Sequence, residues 1–138
     1  MANTLIESCK KILERSSSIL LIDWPDQRVP CSLLKAGLIV YGFSPNHYTI
    51  GRLETGGSQN AESMNLVFTK INKPPDLIDI VCIYRPEEEH ASLITNHVLP
   101  LHAKVIWLQP PVTSIKTRDL AKEYGITFIE GVDITEIV

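Results

Sequence analysis

A chain of 138 residues falls in the range of about 100–200 expected for one domain, which leaves no room for linker-joined modules. Its composition, 44% hydrophobic and 21% charged, fills a core and excludes a disordered or low-complexity segment as the main feature. Thirteen basic against sixteen acidic residues give a net charge of −3, and no basic stripe is present that could neutralise a run of nucleic-acid phosphates.

The predicted elements alternate along the chain. Thr4 and Glu7 have capping-box spacing, and Leu5, Cys9 and Ile12 recur on one face, predicting a helix from Thr4 to Glu14. Ser16, Ser17 and Ser18 end that leading segment. Ile19 to Ile22 is then a short apolar run without alternation, as in a strand buried on both faces. Further runs of this kind are Leu38 to Phe43, Ile78 to Ile83, Val105 to Leu108 and Ile126 to Ile129. Between them lie helix signals. Leu33, Leu34 and Ala36 lead to Gly37, which fits a left-handed cap. Pro86 suits a first helical position, and Glu87, Glu88 and Glu89 after it suit the positive end of the dipole. Thr113 or Ser114 caps a last helix that Gly125 closes. The stretch from Ser44 to Pro75 is polar and glycine-bearing, and offers only a short strand near Leu66 to Phe68.

Buried strands alternating with amphipathic helices predict an α/β fold, a doubly wound sheet in a three-layer sandwich with one extra N-terminal helix. Residues 1–138 are expected to form one domain, with 1–18 as leading helix and linker. The first residues, Met1 to Lys11, hold no basic region followed by an apolar run, and no apolar stretch is long enough for a membrane span. The expectation is therefore cytoplasmic, with no membrane partner. Cys9, Cys31 and Cys82 form neither a disulfide framework nor a zinc motif, and Cys82 reads as a small buried hydrophobe.

In such a sheet ligands bind beyond the carboxyl ends of the strands. Those ends carry a resemblance. Tyr41-Gly-Phe-Ser-Pro45 resembles the Y-x-V-N-P that follows the second strand of the small single-domain CoA-binding proteins, relatives of the CoA-binding domain of succinyl-CoA synthetase. The run from Pro75 through Asp79 to Tyr84-Arg85-Pro86 resembles their D-L-V-D-V-F-R-P, and Lys104 to Gln109 resembles their K-V-x-W-L-Q. Ala121 to Gly125 continues at the family's spacing, so the resemblance runs from about Ile19 to Asp133. It implies a Rossmann-like fold with a five-stranded parallel sheet in the order 3-2-1-4-5. It also implies that CoA, an acyl-CoA or another adenine nucleotide lies across the carboxyl ends, against Ser44, Pro45, Asn46, Tyr84, Arg85, Pro86 and Gln109.

The chain departs from the family where the ligand's phosphates would lie. After the first strand, Asp23-Trp-Pro-Asp-Gln-Arg28 contains no glycine. Trp24 and Pro25 would crowd a pyrophosphate, and Asp23 and Asp26 would repel it. Pro110 or Pro111 stands where the family has glycine after its W-L-Q, and Gly131-Val-Asp133 replaces its N-R-C or D-R-C.

Arg28 and Arg85 are the expected anion partners, because a guanidinium fork matches phosphate oxygens. Each has a competing carboxylate nearby, Asp26 for Arg28 and the Glu87 to Glu89 cluster for Arg85. Gln109 can offer its amide to a ligand or to a loop carbonyl. Asp23 after a buried strand is also a feature of phosphorylation receivers. The middle strand, however, runs out as Cys82-Ile-Tyr-Arg85 with no aspartate to accept phosphate. His47, His90, His97 and His102 fit no ligand spacing, so no metal is expected. Gly56-Gly-Ser58 reads as a turn rather than an anion nest. No nucleophile–base pair is evident, and the expected function is non-catalytic ligand binding. The alternative is a diverged member that acts through protein contacts, as a homodimer or partner-binding module.

Overall fold

The computed structural model describes residues 2–43, 47–55 and 64–138. Ser44, Pro45, Asn46 and Gly56 to Ser58 lie outside them. The helix α1 (Ala2–Arg15) leads into β1 (Ser18–Ile22), followed by α2 (Arg28–Lys35) and β2 (Ile39–Phe43). Next come β3 (Tyr48–Thr55), β4 (Met64–Lys70) and β5 (Ile80–Ile83). After them, α3 (Glu87–Leu93) runs on into a π-helical turn at Ile94–Val98. The chain ends with β6 (Val105–Leu108), α4 (Ile115–Glu123), β7 (Thr127–Ile129) and the short α5 (Ile134–Ile137). Because α1 begins at Ala2, Thr4 lies inside the helix rather than capping it, and Leu5 is exposed while Cys9 and Leu13 are buried. Among the described residues no helix is long and apolar enough to cross a membrane.

Among the described residues the sheet has seven strands in the order β4-β3-β2-β1-β5-β6-β7, which corrects the expectation of five strands in the order 3-2-1-4-5. The parallel part is β2-β1-β5-β6-β7, which in chain order is 2-1-3-4-5. Beyond β2 the sheet continues as an antiparallel pair, β3 and β4. Chain length explains the difference. Only residues 44–47 separate β2 from β3, whereas a parallel neighbour needs a crossover of about a dozen residues or more. The return must therefore be antiparallel. The β-prone residues Tyr48, Thr49 and Ile50 are the strand signal in the polar stretch, and Gly51 after them imitates a turn.

After β4 the chain crosses back to the other side of β1, so the switch point lies between the carboxyl ends of β1 and β5. Reversing the direction of travel while keeping right-handed crossovers sends α2 to one face and α3 and α4 to the other. Helices α1, α2 and α5 cover the face built on Ile19, Leu21, Val40, Ile80, Cys82 and Trp107. The π-helical turn and α4 cover Leu20, Ile22, Val81, Ile83, Ile106 and Leu108. The uninterrupted burial of β1, β5 and β6 follows from having helices on both sides. Both predicted glycine caps are present. Gly37 and Gly125 have φ of +94° and +71°. Leu38 donates to Leu33 O and Ile126 to Ala121 O, closing the same backbone loop after each helix.

Trp24 leaves the end of β1 and stacks on Phe68 of β4, with ring centroids 4.9 Å apart and planes inclined by 27°. The close approach needs glycine below it. A Cβ on Gly42 would lie 2.9 Å from Thr49 Oγ1 and 3.3 Å from both Phe68 and Trp24. Gly42→Ala is expected to lose about 1–3 kcal/mol of stability by overpacking. Chemical denaturation measures it, and an unchanged midpoint would show that the aromatic stack yields freely.

Candidate functional site

Asp23 ends β1 with φ +65°, a left-handed conformation that aspartate tolerates better than most residues. Its Oδ1 accepts from the Trp24 amide at 2.9 Å, and its Oδ2 accepts from Arg85 Nη1 at 3.1 Å. Arg85, just beyond β5, also donates to Glu89 through Nε at 3.1 Å and Nη2 at 2.6 Å. One guanidinium thus joins the end of β1 to the first turn of α3. The Tyr84 amide donates to Ile22 O at 3.0 Å and carries the β1–β5 pairing one step further. Pro86 is the residue before α3 rather than its first helical residue, and its carbonyl accepts from Glu89 N–H.

The opposite wall comes from the start of α4. Ser114 caps that helix by accepting from Thr117 N–H at 3.0 Å, and its hydroxyl donates to Glu87 Oε2 at 2.6 Å. Between these elements lies a cleft of about 490 Å³ lined by Asp23, Tyr84, Arg85, Pro86, Glu87, Pro111, Val112 and Thr113. Its position at the carboxyl ends of β1, β5 and β6 is the switch-point position of a doubly wound sheet. Trp24 is not among the lining residues, since its ring is committed to Phe68.

Of the residues proposed from sequence, Tyr84, Arg85 and Pro86 come together in this cleft. Arg28 stands apart, at the exposed start of α2, where it grips Asp26 through Nε at 3.1 Å and Nη2 at 3.0 Å. Its guanidinium holds the Asp26 carboxyl below the usual carboxylate range. The same carboxylate accepts from the Arg28 amide at 2.9 Å, the Val29 amide goes to Asp26 O, and Pro30 has no amide. These donors at the helix start are thus occupied within the protein.

Gln109 is buried, and both ends of its amide are used internally. Its Nε2 donates to Asp133 Oδ1 at 2.7 Å, and its Oε1 accepts from Ile134 N–H at 3.1 Å. Burial opposes charge on Asp133. Hydrogen bonds from Thr135 and Gln109, with the nearby Arg28 charge, outweigh that and hold its carboxyl below the ordinary range. Asp133, which stands in place of the family's N-R-C ending, therefore caps α5 and fixes Gln109.

Sequence reasoning missed a second group at this end of the sheet. His97, buried in the π-helical turn, bonds the Tyr48 hydroxyl through Nδ1 at 2.5 Å and packs on Phe43 with ring centroids 4.2 Å apart. The partners lie 49 positions apart, so no local pattern could pair them. His90, also buried, is bound on both ring nitrogens, by Thr117 Oγ1 and Arg85 O.

Burial lowers the His97 pKa from its ordinary 6.5. The unfolded chain then takes up a proton at a higher pH than the folded one. The stability tied to the neutral ring is complete above about pH 6.5 and is lost as pH falls through the lowered value. His97→Phe is expected to flatten the fall of the thermal midpoint just below that pH. Equal slopes for wild type and variant would contradict this.

The described residues contain no group of three His, Cys, Asp or Glu side chains able to hold a metal ion. No curated protein shows significant similarity to the chain. Solved structures do share its fold. A protein redesigned for binding, Prb, superposes with a TM-score of 0.69 at 23% identity, over 95% of this chain and 87% of its own. A hypothetical protein from Pyrococcus horikoshii OT3 gives 0.65 at 18% identity, over 95% and 87%. Cell-free ID.343 from Thermus thermophilus gives 0.62 at 18%, over 91% and 90%. The CoA binding domain family matches residues 25–132, which takes in α2, every strand after β1 and the cleft residues from Tyr84 to Thr113, and the chain belongs to that family.

Proposed function

We propose that this domain is a non-catalytic binding module that holds CoA, an acyl-CoA or another adenine nucleotide across the carboxyl ends of β1, β5 and β6. The observation that carries the reading is the switch-point cleft with Arg85 on its wall, in a chain of the CoA binding domain family. Arg85 and Arg28 are charged, exposed enough to meet solvent, and already aimed by carboxylates. Ion pairs of this exposure contribute about 0–1 kcal/mol each, so a phosphate bearing several acceptor oxygens can replace the carboxylate partner. The ligand's phosphates are held by arginine side chains, and the amides at the start of α2 take no part.

The occupied start of α2 favours a second reading, a family member that no longer takes a nucleotide and acts through protein contacts, as a homodimer or with another partner. Titration calorimetry with CoA, acetyl-CoA, ADP and ATP separates the two. Saturable binding of at least one is the expected result. No heat from any of them at millimolar concentration would overturn the first reading, and a strictly monomeric protein that retrieves no partner would overturn the second.

A further inference from the structure

A second cleft lies at the same end of the sheet, outside the Asp23–Arg85 site. Tyr48 opens β3 opposite Phe43, the last residue of β2, and Lys70 closes β4 opposite Thr49. The Ile71 amide donates to Tyr48 O at 3.0 Å, which fixes the segment after β4 against the start of β3. Between them is a cleft of about 370 Å³ lined by His47, Tyr48, Lys70, Ile71, Asn72, Lys73 and Pro74.

The two clefts have opposite electrostatics. Asp23 and Glu87 line the first, and its one guanidinium is bonded by Asp23 and Glu89. Among the described residues no carboxylate lines the second, although the chain as a whole carries −3. Two lysine ammoniums do, and among the described residues neither takes part in an ion pair. Tyr48 also lines the cleft, and its hydroxyl is taken by buried His97, which in turn packs on Phe43. The cleft therefore combines two lysine ammoniums with the Asn72 amide.

We propose that this second cleft is an anion subsite for a phosphomonoester group, with Lys70 and Lys73 supplying the charge and Asn72 a hydrogen bond. A phosphomonoester carries nearly two negative charges near neutral pH and three acceptor oxygens, matching two ammoniums and the Asn72 amide. Ammoniums act as point charges with rotatable donors and impose no planar geometry on the group they hold. The phosphate is either part of a larger ligand or free. As part of a ligand, it rests on the nucleotide reading above, and a nucleotide phosphorylated at two separate positions is the class that engages both clefts.

The test compares CoA with dephospho-CoA, which lacks the ribose phosphomonoester, by calorimetry on the wild type and on a Lys70→Gln/Lys73→Gln double variant. Inorganic phosphate, followed through backbone amide shifts, is the direct probe of the cleft. The expected result is that CoA binds at least about tenfold more tightly than dephospho-CoA, that added salt shrinks this margin, and that the double variant abolishes it. Phosphate is expected to shift the amides of Tyr48 and Lys70 to Lys73 in the wild type only. Equal affinity for the two ligands together with phosphate shifts assigns the subsite to free phosphate. Equal affinity without shifts at tens of millimolar overturns the inference and leaves the nucleotide reading standing. If neither ligand binds, the nucleotide reading fails, and the phosphate shifts alone decide the subsite.

Discussion

Trp107→Ala is expected to lose about 3–5 kcal/mol of unfolding free energy, the largest single effect in the molecule. Trp107 is fully buried in β6, paired on one side with Cys82 of β5 and on the other with Ile129 of β7. Truncation removes an indole from a core that cannot collapse around the space, since rigid strands flank it on both sides. It also removes a hydrogen bond, from the indole N–H to Val132 O at 2.9 Å. Trp107→Phe separates the two effects. It keeps most of the apolar volume and leaves the Val132 carbonyl unpaired, at an expected cost of about 1–3 kcal/mol. Urea unfolding of the three proteins checks both values. A loss under about 1 kcal/mol for the alanine variant would mean that the core relaxes, contrary to its close packing.

The consequence of Trp107 reaches the binding end of the sheet. Val132 precedes Asp133, whose carboxylate caps α5 and holds Gln109 at the end of β6. The indole therefore sets the turn that positions both.

Much of the fold was legible because burial on both faces writes itself into the chain. The runs at Ile19–Ile22, Ile80–Ile83 and Val105–Leu108 are continuous and apolar because helices cover each side, and Gly37 and Gly125 mark helix ends that require positive φ. The order of strands is not a local property, and the expected order 3-2-1-4-5 did not hold. The antiparallel pair followed instead from a connection too short for a crossover. Gly51 imitated a turn residue, yet it sits within a strand, as Gly42 does, so that Phe68 can lie across both beneath Trp24. That is a tertiary reason for glycine, invisible without knowing which strand lies alongside.

The candidate site divides in the same way. Arg28–Asp26 and Arg85–Glu89 are near in sequence and were legible as competing ion pairs. The bond from Arg85 to Asp23 spans 62 positions, and the Glu87–Ser114 bond spans 27. Neither has a local signal, and both add negative charge to the wall that a nucleotide would approach. The internal use of Gln109 depends on the last helix folding back beneath β6.

Arg85→Ala and Asp26→Ala are expected to move ligand affinity in opposite directions. In the nucleotide reading Arg85 supplies a charge-assisted contact to phosphate, worth about 1.5–3 kcal/mol, so its removal weakens CoA binding by about 10–100-fold. The variant also leaves Asp23 and Glu89 without their shared cation, which adds repulsion toward any anion in the cleft. Asp26→Ala does the reverse. It removes a negative charge from the start of α2, and releases both the Arg28 guanidinium and the Arg28 amide. A free anion position at a helix start is worth about 0.3–1 kcal/mol, so affinity is expected to rise by up to about fivefold. Loss of the Arg28 amide's hydrogen bond to Asp26 costs about 1 kcal/mol, which leaves the domain folded. Calorimetry on the two variants beside wild type reads both signs. Unchanged affinity in Arg85→Ala would remove that residue from the anion site. If Asp26→Ala created binding where the wild type has none, the Asp26 carboxylate would be shown to occupy the place of the ligand's phosphate.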